Sequence, residues 1–180
     1  MAASQLHADL LLAYRGTANF LRCLSLLRGV DYEVGAEYQN GRSRRETISW
    51  IGYSARTYAR LAESVRTDTP LPQLGDERER FDAEVRLGST LPARALRHLV
   101  EHSAVHLRVE WRDLSESDWT KPIANGVGPA VTPATTVKLR AGEVWLAALD
   151  LHNGVRESDI PLRARQLVGE ARIRAGSLPW

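Results

Sequence analysis

Residues 132–151, TPATTVKLRAGEVWLAALDL, decide the fold, because they have every feature of one complete helix. Thr132 can cap the N-terminus with its side-chain oxygen, and Pro133 suits the first helical position, where no backbone N–H is required. One face repeats at three- and four-residue steps and consists of Val137, Arg140, Val144, Ala147 and Leu151. Such spacing predicts a helix that buries one side in a helical domain.

Four more segments have the same helical periodicity. They cover about 4–28, 43–65, 92–113 and 161–176. The second opens with Ser43 and Glu46, which form the S-x-x-E pattern of a capping box. Residues 67–90 contain prolines, a glycine and a run of charges, and we expect a long surface connection with no more than a short helical turn.

Residues 115–132 are rich in glycine and proline and predict a loop, with a candidate hairpin turn at Asn125-Gly126. Four long helices joined by two substantial loops favour crossover connections over simple helical hairpins. The sequence therefore predicts an all-α four-helix bundle with long crossover loops and an extra C-terminal helix. We expect a single domain over residues 1–180.

Composition and charge exclude several classes of protein. With 43% hydrophobic and 26% charged residues, the 180-residue chain can bury a full core. Its 24 basic and 22 acidic residues are interspersed, so no nucleic-acid partner is expected. No apolar run approaches the roughly 20 residues that span a bilayer, so no membrane partner is expected either. We predict a cytoplasmic protein, in which the lone Cys23 is a packed hydrophobe and not a nucleophile.

Six short stretches together resemble a known family. They are LAYRGT at 12–17, GRSRRETISWIGY at 41–53, GSTL at 88–91, EHS at 101–103, DW at 118–119 and EVWLAALDL at 143–151. In this order and spacing they resemble the N-terminal, metal-binding domain of mycothiol-dependent maleylpyruvate isomerases, which belong to the DinB-like superfamily. The resemblance extends from about Leu12 to Ile160 and implies the DinB-like form of the bundle.

The resemblance also implies a metal site that this chain has lost. In the family, a histidine in the second helix and an E-x-x-x-H pair in a later helix hold a divalent metal that activates a thiol cofactor. The matching positions here are Trp50, Glu143 and Ala147, so only the carboxylate remains. Indole and methyl groups offer no lone pair to a metal. The isomerases also have a further C-terminal domain, for which 180 residues leave no length, so we do not expect maleylpyruvate isomerisation.

Glu143 and Trp50 each allow two interpretations. A Glu143 that faces a pocket would have a raised pKa and could serve as an acid or base. Alternatively, Arg140, another arginine or the indole of Trp50 satisfies Glu143 as a relic in the core. Trp50 either fills the vacated space or forms a wall on which a ligand stacks. Tyr53, one turn further on, would add a hydroxyl to that wall, and Ala147 would line the same pocket.

Residues 98–102 spell H-x-x-E-H, a pattern found in some zinc proteases. The core face of the helix over 92–113 is expected to consist of Leu96, Val100, Ser103, Leu107 and Trp111. This leaves His98 and His102 on the opposite side, near Val105 and Val109, where a surface role is favoured over a metal site. The apolar strip on that side predicts a homodimer.

Three functions remain open. The first is a metal-independent isomerase or cyclase without a cofactor, acting on a small molecule in an actinobacterial biosynthetic pathway. Glu143 would be its acid or base, Trp50 and Tyr53 would shape the pocket, and Arg140 and Ala147 would line it. The second is a non-catalytic binding or partner protein that keeps only the fold. The third is a mycothiol-dependent transferase or isomerase that works without metal.

Overall fold

The computed structural model describes residues 3–33, 41–71, 76–123 and 131–174, and these contain six α-helices. The helices are α1 (Ala3–Leu26), α2 (Arg44–Thr67), α3 (Glu77–Ser89), α4 (Ala93–Arg112), α5 (Pro133–Asp150) and α6 (Leu162–Arg174). Short 3₁₀ turns lie at Gly29–Tyr32, Asp118–Thr120 and Glu157–Asp159. One isolated antiparallel bridge joins Ile123 and Val131. The candidate hairpin turn at Asn125-Gly126 lies outside the described residues.

Helices α1, α5, α2 and α4 form the bundle in that cyclic order, with α3 packed on α2 and α6 packed on α5. Arg45 donates to the carbonyl of Leu91 near the starts of α2 and α4. Arg66 pairs with Glu110 near the ends of the same two helices. These helices therefore run parallel, and α3 lies in the crossover that returns the chain between them. The predicted all-α bundle with a crossover and an extra C-terminal helix is confirmed.

Local capping residues in the sequence set the starts of α2 and α5. The Ser43 hydroxyl accepts from the N–H of Glu46 at 3.2 Å, and the Glu46 carboxylate accepts from the N–H of Ser43 at 2.8 Å. At the start of α5, Thr132 Oγ1 accepts from the N–H of Thr135. Each bond satisfies a backbone donor that the first helical turn leaves free. Within the described ranges, no helix combines the length and apolarity needed to cross a bilayer.

Helix α3 corrects the expectation of a long connection with only a short turn. It has 13 residues, and the Asp76 side chain caps it by accepting from the N–H of Glu79. Its buried side is narrow and consists of Phe81, Val85 and Gly88. The Ser49 hydroxyl of α2 donates to the carbonyl of Val85 and so fixes the helix on the bundle. Charged residues dominate the rest of α3, and they concealed this short apolar stripe.

The close approach of α6 to α5 depends on Gly142. A Cβ at Gly142 would lie 2.5 Å from the backbone oxygen of Leu167 and 3.2 Å from the Cβ of Ala171. We expect Gly142→Ala to lower the free energy of unfolding by about 1–3 kcal/mol, as overpacking does elsewhere. Gly169→Ala is the matched control, because a Cβ there meets nothing within 4 Å. It should gain up to about 1 kcal/mol from helix propensity. Urea denaturation measures both, and equal stabilisation by the two alanines would contradict the close contact.

Candidate functional site

The faces of α2 and α5 that meet inside the bundle carry polar side chains. Ser54 and Tyr58 lie one turn apart on α2, and Arg140 and Glu143 lie one turn apart on α5. All four are buried, and Arg140 is only 1% exposed. Since a buried charge is costly unless it is paired and hydrogen-bonded, the contacts among these side chains decide what the site can do.

Glu143 is held by one neutral donor and one cation. The Tyr58 hydroxyl donates to Glu143 Oε1 at 2.5 Å. Arg140 Nη1 lies 3.9 Å from Glu143 Oε2, close enough for an ion pair but too far for a hydrogen bond. The same Nη1 donates to the Ile51 carbonyl at 2.9 Å and to Ser54 Oγ at 2.8 Å. Arg140 is therefore fixed to α2 while its charge faces Glu143.

Burial dominates the ionisation of this cluster. It raises the pKa of Glu143 to about 7, against the opposing effects of the Arg140 charge, of the hydrogen bond from Tyr58 and of the nearby Ser54 hydroxyl. Burial also raises the pKa of Tyr58 well above its ordinary value, with the charge of Glu143 adding to the effect. The pKa of Arg140 is lowered by burial. Glu143 is thus the member of this cluster that exchanges a proton near neutral pH.

Three buried polar atoms at or next to this cluster have no hydrogen-bond partner among the described residues. They are Glu143 Oε2, Arg140 Nη2 and Trp50 Nε1. Trp50 lies one turn before Ser54 on α2 and is 9% exposed. Buried donors and acceptors are normally satisfied by protein, water or a ligand. Two donors and one acceptor inside the bundle therefore have no protein partner among the described residues.

Arg42 and Asp150 extend the site beyond the residues predicted from the sequence. Arg42 Cζ lies 4.8 Å from the centroid of the Trp50 ring, in a cation–π contact. Burial lowers the pKa of Arg42, and the negative charges of Asp82, Glu143 and Asp150 oppose that shift. Asp150 is itself buried, which raises its pKa. Arg42 therefore lies on Trp50 within the electrostatic reach of Glu143.

Sequence reasoning also missed Tyr58, although a signal for it existed. Tyr58 follows Trp50 by eight residues, and Asp150 follows Glu143 by seven. Both intervals are close to two helical turns, so each residue shares a face with the predicted site residue before it. The contact of Tyr58 with Glu143 depends on how α2 packs on α5, so residue spacing alone could not predict it.

Ala147 lies on α5 one turn from Glu143, whereas Tyr53 lies on another side of α2. Ala147 is buried there. Tyr53 is half-buried on another side of α2, where its ring would lie 2.5 Å from a Cβ at Gly88. It lines an open groove of about 490 Å³ between α2 and α4. Tyr53 thus packs against α3 and faces the groove towards α4, and its place on a wall with Trp50 stays a prediction.

A sequence profile of the mycothiol maleylpyruvate isomerase N-terminal domain matches residues 40–152. The chain belongs to this family. Crystal structures of the mycothiol-dependent maleylpyruvate isomerase and of a histidine-to-alanine mutant of it are similar to the chain, each with a TM-score of 0.78 and 31% sequence identity. Each match covers 92% of this chain and 67% of the other. No curated protein matches the chain.

The residues of this member do not fit the metal that the family resemblance implies. Trp50 and Ala147 provide no lone pair, and Glu143 already accepts from Tyr58 and faces the guanidinium of Arg140. His98 and His102 are exposed on α4, as predicted, with ring centroids 5.7 Å apart. Across the described ranges, no group of three or more histidine, cysteine or acidic side chains could hold an ion.

Proposed function

We propose that this chain is a metal-independent enzyme that transfers a proton within a small molecule, in an isomerisation or a related cyclisation of a cytoplasmic biosynthetic pathway. One observation carries the proposal. Glu143 is a buried carboxyl whose pKa is raised to about 7, and its Oε2 has no hydrogen-bond partner among the described residues. An acid or base works best when its pKa lies near the operating pH.

Each neighbour would have a separate role in this reaction. The Tyr58 hydroxyl occupies Oε1, so Oε2 is the atom left to receive a proton from the substrate and return it at a second position. The substrate thereby keeps its atoms and its oxidation state. Arg140 would stabilise the ionised carboxylate and direct Nη2 at a substrate oxygen. The Trp50 ring would supply a flat apolar surface, with its N–H as one further donor.

A non-catalytic function is the second candidate. Tyr58 joins α2 to α5 through Glu143, and Arg140 joins the same helices through the Ile51 carbonyl and Ser54, so the cluster could serve to hold the bundle together. Trp50 and Ala147 both belong to the hydrophobic core, which also suits a filled site. Membership in the family supports a third candidate, in which mycothiol takes part without metal.

Proton exchange with solvent tests these functions, and the test works whatever the product is. The protein would be incubated in D₂O with a panel of small carbonyl and hydroxy compounds, with and without mycothiol, and deuterium incorporation followed by NMR. An isomerase of the proposed kind should accelerate exchange into at least one compound. Acceleration only with mycothiol would favour the third candidate. Binding without any exchange would contradict catalysis and favour the second.

Self-association through the outer side of α4 is part of the proposal. Val105 is 62% exposed there, and Val109 is half-buried one turn further on. We expect light scattering to show a homodimer that Val105→Glu dissociates without loss of helical circular dichroism. A wild-type monomer at high micromolar concentration would contradict this prediction.

A further inference from the structure

We propose that Arg140 is the resident cation of this site. Its guanidinium places beside Glu143 the positive charge that a divalent ion would otherwise supply, so Arg140 and a metal exclude each other. Two observations motivate this inference. Arg140 Nη1 lies 3.9 Å from Glu143 Oε2. Among the effects that favour the ionised form of Glu143 against its burial, the charge of Arg140 is the largest.

Arg140 is anchored where it stands. The two hydrogen bonds from Nη1, to the Ile51 carbonyl and to Ser54 Oγ, are both buried. Displacing the guanidinium would break these bonds and separate a buried charge from its counter-ion, which is strongly unfavourable. An ion entering beside Glu143 would therefore meet a fixed positive charge that cannot swing into solvent.

The charge of Arg140 therefore lowers metal affinity in addition to the loss of the two ligands. Repulsion between a guanidinium and a divalent ion is much larger in a buried site than in water. Glu143 cannot fully compensate both cations with a single negative charge. Restoring the two lost histidines should consequently give measurable but weak metal binding for as long as Arg140 remains.

Three variants on the full chain separate ligand number from charge. Trp50→His with Ala147→His supplies the missing imidazoles. Adding Arg140→Leu removes the cation with a side chain that offers no donor to a metal, and adding Arg140→Lys instead is the control that keeps a positive charge. Binding of Zn²⁺ and Co²⁺ would be measured by calorimetry, and Co²⁺ absorption would report the coordination geometry.

The leucine variant should bind the metal roughly 10- to 100-fold more tightly than the two-histidine variant, a range typical of changes around a metal site. The lysine variant should show no such gain. Equal affinity of the two-histidine and leucine variants would overturn the proposal. Glu143→Ala in the leucine background should abolish binding, and binding that persists there would overturn the proposal as well.

Near-UV circular dichroism checks that each variant keeps its packed core. If the leucine variant does not fold, Arg140→Gln provides a neutral polar replacement for the same comparison. None of these measurements uses turnover, so a failure of the proposed enzymatic function would leave the result on Arg140 unaffected.

Discussion

Glu143→Gln is expected to lower turnover by roughly a hundred- to ten-thousand-fold, the range contributed by a positioned acid or base. The amide keeps the size of the carboxyl and can still accept the hydrogen bond from Tyr58, but it cannot take up or release a proton near pH 7. Steady-state kinetics on the compound identified by deuterium exchange would measure the effect. The fold should persist, because the contact between α2 and α5 is retained.

A second buried glutamate provides the matched control for this substitution. Glu110 on α4 is buried and pairs with Arg66 and His106, away from the cluster around Glu143. Glu110→Gln should leave turnover within about threefold of the wild type, because this substitution changes the contacts around Glu110 and no group that transfers a proton. Full activity of Glu143→Gln, or an equal loss in both variants, would contradict the role of Glu143.

The pH dependence of stability gives a readout that requires no substrate. Burial raises the pKa of Glu143 from 4.5 to about 7, so between these values the folded chain holds a proton that the unfolded chain has released. The contribution of this group to stability therefore decreases as the pH rises from about 4.5 to about 7. Glu143→Gln should remove that part of the pH dependence in urea titrations.

The main helices could be predicted from the sequence because their signals are local. Ser43 with Glu46 and Thr132 with Pro133 fix two helix starts through contacts within one turn, and the structure contains both caps. Helix α3 could not be predicted in the same way, because its buried stripe is only three residues and charges surround it. Its stability comes from packing on α2, which no local pattern reveals.

The candidate site could be predicted only in part, for a related reason. Glu143 and Arg140 are three residues apart on one helix, so their proximity follows from helical geometry. Tyr58 reaches Glu143 from 85 residues away, through the packing of α2 on α5. Arg42 precedes α2 and contacts Trp50 across the helix start. Contacts of this kind depend on how helices cross and where the chain turns, and residue spacing alone does not determine them.

Trp50→Ala should lower the free energy of unfolding by about 3–5 kcal/mol, the range seen when a buried aromatic side chain is removed from a core. Trp50 is 9% exposed and belongs to the hydrophobic core, and it also provides the ring on which Arg42 lies. Urea denaturation of the variant measures the loss. A change below about 1 kcal/mol would mean that the ring is not packed as the structure places it.

Trp50→Phe separates packing from recognition at the same position. Phenylalanine retains most of the aromatic contact but lacks Nε1, a buried donor without a partner among the described residues. Losing an unsatisfied donor should cost little stability, so this variant should stay within about 1–2 kcal/mol of the wild type. If ligand affinity is retained in Trp50→Phe and lost in Trp50→Ala, the indole N–H is dispensable and the ring is the wall on which the ligand stacks. If both variants bind the ligand as the wild type does, Trp50 only fills the position of the missing histidine, and recognition must be assigned to the other residues around Glu143.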